Sequence, residues 1–436
     1  VITDAEAGNE TSNKGEIVDV FQRFESEVRS YCRNWPTVFK TARGSHIYNE
    51  DGRKFLDFFA GAGSLNYGHN HPKLKAALLD YLAADSIVQS LDMYTSSKRT
   101  FIEAIQEVIL EPRGLDYKIQ FTGPTGTNAV EAALKLARKY TRRETIVSFT
   151  NAFHGMSLGS LAVTGNSMKR SGAGVPLGNV ATMPYDNYLD GRSPDFLLFE
   201  RMLDDSGSGL DRPAAVIVET VQGEGGLHPA SAQWMRGLAD VCKRHDMLLI
   251  VDDIQMGCGR TGPFFSFEQA GITPDIVCLS KSLSGYGLPL SLALLRPELD
   301  VWEPGEHNGT FRGSNPAFVT ATAALDFWTG DGLEKDTARK GEQVQRTLNR
   351  IAAAHSDVVA EVRGRGMAWG LAFEESTLAP AVCEAAFERG LLMETSGPES
   401  EVAKLLPALT ITDTELTEGL EILTESVSAA LAKHPA

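Results

Sequence analysis

Two charged residues at the ends of two apolar runs frame the chemical question. Leu248-Leu249-Ile250-Val251 runs into Asp252 and Asp253, and Ile276-Val277-Cys278-Leu279 runs into Ser280 and Lys281. Each is a short apolar stretch with a polar end, the pattern of a buried strand whose C-terminal tip faces a ligand crevice. A carboxylate and a lysine on neighbouring tips suit pyridoxal phosphate. The amine can make a Schiff base with the aldehyde, and the carboxylate keeps the pyridine nitrogen protonated as an electron sink. The same pair could instead be a salt bridge at a sheet edge, so the surrounding segments have to decide.

Four further segments fall at strand ends. Gly123-Pro124-Thr125-Gly126-Thr127-Asn128 follows Ile119-Gln120-Phe121 and opens a helix-patterned stretch. Free amides, small residues and the Thr127 hydroxyl make it a phosphate cup; the competing reading is a plain glycine turn. Asn128-Ala129 replaces the lysine-hydroxyl ending of a nucleotide loop, which argues against ATP. Phe153 and His154 follow Ile146-Val147-Ser148-Phe149, where a flat aromatic can stack on a pyridine ring or simply join the core. Glu219 and Glu224 sit in Glu219-Thr220-Val221-Gln222-Gly223-Glu224-Gly225-Gly226, either turned towards a ligand or part of a solvated acidic turn. Gln255 follows the Asp252 run and can donate a hydrogen bond to a ring oxygen.

The elements that must position these groups follow from periodicity. Strand-length apolar runs lie at 119–121, 146–149, 180–183, 215–218, 248–251, 276–279 and 290–295, with helical patterns such as Ala129 to Tyr140 and Ala232 to Arg244 between them. That alternation predicts an α/β fold with a largely parallel, doubly wound sheet of seven strands. Upstream, residues 1–15 read as a flexible polar leader, Ile17 to Tyr31 as an amphipathic helix, and residues 45–48 and 54–58 as a hairpin about Asp51-Gly52. A glycine-bearing loop, Ala60 to His69, precedes a helix from His71-Pro72 through Leu82. Beyond Pro316 the pattern predicts a helical tract from Phe318 to Ala354, broken near 329–332, then strands at 367–373, 391–394 and 405–411. A closing helix begins at the capping box Thr412-Asp413-Thr414-Glu415. The expected division is a large domain over 71–315, with a smaller α+β domain built from 16–70 and 316–436.

Composition narrows the function classes. A formal net charge of -16 disfavours nucleic acid, and no apolar run approaches the length of a membrane span. The five cysteines are scattered and never spaced as C-x-x-C, which points to a reducing, cytoplasmic setting without a disulfide framework. His46, His69, His71 and His154 lack ligand spacing, so no metal site is expected.

Taken together, several motifs resemble the class III pyridoxal-phosphate aminotransferases of fold type I. They are Thr125-Gly126-Thr127, Phe153-His154-Gly155, Glu219 to Gly226, Asp252-Asp253-Ile254-Gln255, Gly257 to Gly262, Ser280-Lys281 and Gly309 to Pro316. The resemblance implies that Lys281 is the Schiff-base lysine and proton shuttle and that Asp252 is the pyridinium partner. It also implies that Gln255 bonds the phenolic oxygen, that Phe153 stacks on the ring beside His154, and that Gly126 and Thr127 hold phosphate. Thr310 would reach the phosphate of a neighbouring subunit, making a homodimer the minimal active unit. Ala60 to His69, Ser282 to Gly287 and Glu394-Thr395-Ser396-Gly397 look most like the ectoine-forming, diaminobutyrate–2-oxoglutarate branch. That branch uses L-glutamate and L-aspartate 4-semialdehyde as substrates. Glu219, Glu224 and Lys404 are then the expected substrate contacts. Lys404 stands where many relatives carry an arginine for the α-carboxylate, and a lysine offers a point charge rather than a bidentate fork, so either binding is looser or Arg260 or Arg312 shares the task.

Overall fold

The computed structural model describes residues 20–189, 192 and 195–433. The leader expected over 1–15 lies outside them. Of the helix expected from Ile17 to Tyr31, residues 20–24 are helical, the chain then turns, and a short helix covers Tyr31–Asn34. Val20, Phe21, Phe24 and Val28, which gave the periodicity, are all exposed, so no packed surface extends the helix.

Strands β1 (Phe39–Arg43), β2 (His46–Asn49) and β3 (Lys54–Asp57) form an antiparallel meander, with β2 and β3 pairing as the hairpin predicts. The main sheet contains β4 (Lys118–Gly123), β5 (Ile146–Phe149), β6 (Val180–Met183) and β7 (Ala215–Val218). A short ribbon, β8 (Val221–Gln222) with β9 (His228–Pro229), carries the glycine-rich Glu224 loop. β10 (Leu248–Asp252), β11 (Ile276–Leu279) and β12 (Ser291–Leu295) complete the sheet in the order β4-β12-β11-β10-β7-β5-β6. Only β12 runs against its neighbours. All seven predicted strands are present.

Alternate residues of each strand enter different cores. Val216, Val218, Leu249, Val251, Val277 and Leu279 pack in one cluster, whereas Ala215, Ile217, Leu248, Ile250, Ile276 and Cys278 pack in the other. Burial on both faces explains why these strands read as unbroken apolar runs. Because β10 and β11 are parallel neighbours, with Asp252 opposite Cys278, Asp252 and Lys281 emerge at the same edge of the sheet.

The C-terminal part builds a four-stranded antiparallel sheet from β13 (Val359–Arg365), β14 (Ala368–Phe373), β16 (Glu394–Ser396) and β17 (Val402–Leu405), while β15 (Leu391–Leu392) adds in parallel to β3. Three positions differ from expectation. The strand expected at 391–394 is split between β15 and β16, which join different sheets. β13 was hidden by its polar sequence and half-exposed edge position. The strand expected at 405–411 is instead β17 at 402–405. Beyond it the buried Leu406 and Leu409 are irregular, their amides bonding Phe58 O and Asn66 O at 2.7 Å each. The closing helix, Asp413–Lys433, starts at the predicted box: Glu415 N donates to Thr412 Oγ1 (3.2 Å) and Thr412 N to Glu415 Oε2 (2.9 Å).

Arg260 ties these parts together. Fully buried, it donates to Met367 O (3.0 Å), Pro407 O (2.5 Å) and Asn66 Oδ1 (2.5 Å). Arg260→Ala strands three buried acceptors and leaves a cavity, so denaturant unfolding is expected to show a loss of about 3 kcal/mol or more.

Candidate active site

A cavity of about 170 Å³ opens where β5, β7, β10 and β11 end. Gly126, Thr127, Phe153 and His154 line one side; Glu219, Glu224, Asp252, Gln255 and Lys281 line the rest. The structure thus gathers nine of the eleven expected site residues around one space. Lys404 lies behind Glu224, and Thr310 lies elsewhere.

Asp252 Oδ2 meets His154 Nδ1 at 2.7 Å, both side chains buried, and Asp252 Oδ1 accepts from Ile254 N at 3.2 Å. Burial pulls the His154 pKa down, but the hydrogen bond and charge of Asp252, helped by Glu219, leave it raised. Glu219 is fixed by Phe153 N, which donates to its Oε1 at 2.9 Å. Burial, reinforced by the charge of Asp252, raises its carboxyl to about 7 despite His154.

Lys281 has a left-handed backbone, φ 48°, and its Nζ donates to Ala62 O at 3.0 Å. Ala62 belongs to the glycine-bearing loop, where Ala60, Gly61, Ala62 and Gly63 all have positive φ. Two alanines held there mark local strain at the cavity wall. Burial, with the Lys404 charge, lowers the Lys281 pKa although Glu224, Glu394 and Asp252 oppose it. A lysine so placed sheds its proton more readily than a surface lysine, which suits a nucleophile and base.

Gln255 Nε2 donates to Ala62 O (3.1 Å) and Glu224 Oε1 (3.2 Å) rather than pointing its donor into the cavity. Glu224 also pairs with Lys404 at 2.8 Å, and Glu394 meets the same ammonium at 2.9 Å. Burial would raise the Glu224 carboxyl, yet Lys404 and Lys281 hold it down at about 2. Lys404 is raised despite burial, because Glu224 and Glu394 both stabilise its charge.

Neither Arg260 nor Arg312 lines this cavity. Arg260 is spent on the structural bonds above, and Arg312 pairs with Asp92 away from the cavity. Sequence reasoning gave no role to Glu394 or Tyr31. Tyr31 packs on Phe59 (4.9 Å between ring centres), and burial followed by the Glu394 and Glu224 charges pushes its hydroxyl pKa up. The signal for Glu394 was its place opposite Lys404 in adjacent short strands; Tyr31 carried none.

The expected phosphate cup is the first turn of the helix Gly126–Thr141, capped at Thr125, whose hydroxyl meets Asn128 Oδ1 at 2.9 Å. Thr127 Oγ1 lies 2.6 Å from Ser157 Oγ and 2.8 Å from Ser160 Oγ. A Cβ at Gly126 would meet the Ile254 side chain at 2.9 Å, so any larger residue there requires that side chain to shift. Lys169 lies over the Phe153 ring at 4.3 Å. Thr310 is exposed, in the turn Thr310–Gly313.

This donor set fits pyridoxal phosphate: a lysine beside a carboxylate, a helix start for phosphate and an aromatic between them. Gln255 Oε1 and His154 Nε2, buried without a partner among the described residues, are polar atoms such a group can approach.

Residues 29–427 match the family described as Aminotransferase class-III, and the chain belongs to that family of pyridoxal-phosphate-dependent aminotransferases. Among its relatives is the diaminobutyrate–2-oxoglutarate transaminase of Streptomyces avermitilis, 66% identical over 412 residues, covering 94% of this chain and 97% of that one. The Nocardia farcinica enzyme of that name is 62% identical, covering 94% of each chain, and that of Halalkalibacterium halodurans is 56% identical, covering 94% and 96%. The ornithine aminotransferase of Toxoplasma gondii has a similar structure, with a TM-score of 0.84 at 25% identity, over 96% of this chain and 95% of that one.

Proposed function

We propose that the enzyme passes the amino group of L-glutamate to L-aspartate 4-semialdehyde, giving L-2,4-diaminobutyrate and 2-oxoglutarate, and that this feeds ectoine synthesis. The names of its relatives support the substrates. The observation that carries the reading is the Glu224–Lys404 pair, 2.8 Å apart at the cavity wall. Glutamate reacts through a carbon that bears a carboxylate, whereas diaminobutyrate reacts through a terminal carbon that bears none. A lysine covered by a removable carboxylate serves both.

Bound pyridoxal phosphate supplies an aldehyde for the amine and a ring that draws electrons from the reacting carbon. Asp252, oriented by His154 at 2.7 Å, would partner the ring nitrogen and keep it protonated. Lys281 would hold the cofactor covalently and, as a free amine, would move a proton to and from the substrate carbon, its Nζ placed by the bond it donates to Ala62 O. Gly126 and Thr127 would anchor phosphate, and Phe153 would cover the ring. Glu224 covers Lys404 when a terminal amine reacts and leaves it when an α-carboxylate arrives. The active unit is a homodimer in which Thr310, exposed here, reaches the other subunit's phosphate site. The cytoplasm is the setting; four of the five free cysteines are buried, and among the described residues no helix is long and apolar enough to cross a membrane.

Half-reaction rates with diaminobutyrate, ornithine and 4-aminobutyrate test the substrate; diaminobutyrate is expected to be fastest, and preference for either of the others contradicts the reading. Glu224→Gln weakens the cover on Lys404 and is expected to slow the diaminobutyrate half-reaction about tenfold more than the glutamate half-reaction. Equal losses in single-turnover kinetics would count against the gate.

A further inference from the structure

Lys404 has two carboxylate partners, and they are held differently. Glu394 is its register partner across the β16–β17 ladder, with a side chain only 4% exposed, so the sheet itself fixes that pair. Glu224 stands on a loop between Gly223 and Gly225, with a side chain 21% exposed. The backbone of that loop is pinned, since Gly397 N donates to Glu224 O at 3.1 Å, and so it is the side chain that can swing. Glu224 is the removable partner and Glu394 the standing one.

We propose that Glu394 is a specificity-determining residue that keeps the enzyme's hold on glutamate and 2-oxoglutarate weak. The proposal rests on the reading of Lys404 as the seat of the carboxylate on the reacting carbon. With Glu224 in place, two carboxylates share one ammonium. A terminal amine brings no carboxylate to this spot and leaves the arrangement unchanged. Glutamate or 2-oxoglutarate must displace Glu224 and then share the ammonium with Glu394, while the displaced Glu224 stays nearby. Three carboxylates then surround one lysine, and the added repulsion exists only in that complex. A single partner would instead leave the lysine free to grip an α-carboxylate at full strength. Weak retention clears 2-oxoglutarate from the cavity for the aldehyde that has to follow it.

Glu394→Gln removes the charge while keeping the shape and an acceptor for Lys404. It is expected to tighten glutamate and 2-oxoglutarate about tenfold, read as the glutamate KM and the product-inhibition constant, with the diaminobutyrate KM within twofold of the parent. The visible spectrum of the holoenzyme titrated with glutarate, a dicarboxylate that cannot transfer nitrogen, should show the same tightening. Damage to packing weakens every ligand, so tightening confined to dicarboxylates separates a charge effect from a structural one. Glu394→Ala is a second neutral variant, expected to move the constants in the same direction. Unchanged or weaker dicarboxylate binding in a folded neutral variant overturns the proposal, as does equal tightening of diaminobutyrate. If Glu224→Gln splits the half-reactions while no Glu394 variant tightens dicarboxylates, only the role of Glu394 fails. Equal effects of Glu224→Gln on both half-reactions instead remove the reading of Lys404.

Discussion

Lys281→Ala is expected to lower kcat by about 10⁴-fold or more, because in the proposed mechanism one amine supplies both the covalent hold on the cofactor and the proton transfer at carbon. Among the described residues, Lys281 is the only lysine that lines the cavity. Lys404, buried behind Glu224, is clamped by Glu224 and Glu394 at 2.8 and 2.9 Å, which raise its pKa, so it stays protonated and fixed. Lys281 is pushed the other way by burial and the Lys404 charge, towards the free base its role needs. Single-turnover kinetics with L-glutamate check the loss. The variant should retain noncovalent cofactor binding, since the helix start at Gly126 and the Asp252 carboxylate are untouched.

Asp252→Asn is expected to cost about 10³-fold in kcat, with a smaller effect on substrate affinity. An amide cannot stabilise a protonated pyridine nitrogen as a carboxylate does, and electron withdrawal from the reacting carbon weakens accordingly. Glu219 cannot substitute, since it is tied to Phe153 N at 2.9 Å and its carboxyl is raised to about 7. The substitution also releases His154, whose raised pKa depends on Asp252 against the pull of burial. A raised histidine pKa contributes stability that is complete below its unfolded value and fades as pH rises through the folded one. The parent should therefore exceed the variant in stability most clearly under acidic conditions, with the gap narrowing as the solution becomes more alkaline. Paired measurements of kcat and of unfolding across that range separate the catalytic from the structural part.

The main sheet was legible because its strands are buried on both faces and so read as continuous apolar runs; Ile276 to Leu279 needs no neighbour to be recognised. The residues gathered at the cavity were legible for a related reason, being polar residues that interrupt those runs at their C-terminal ends. What escaped depends on contacts distant in sequence. β13 is a polar edge strand whose partner, β14, defines it. Leu406 and Leu409 resemble a strand by composition but bond Phe58 and Asn66. Arg260, in a glycine-rich motif near the site, looked free to bind a substrate carboxylate until three buried acceptors were found around it. Lys404 was legible as a substrate contact, but its second partner, Glu394, was not, because opposite charges on adjacent short strands say nothing of burial until the sheet is assembled.

The central claim is that a lysine at the end of β11 carries the cofactor and moves the nitrogen. Borohydride reduction of the holoenzyme, followed by peptide mapping, tests it most directly. A reduced pyridoxyl group on the peptide containing Lys281, with loss of amino transfer from L-glutamate in proportion to labelling, is the expected result. A label on another lysine, or full activity in protein labelled at Lys281, would contradict the account.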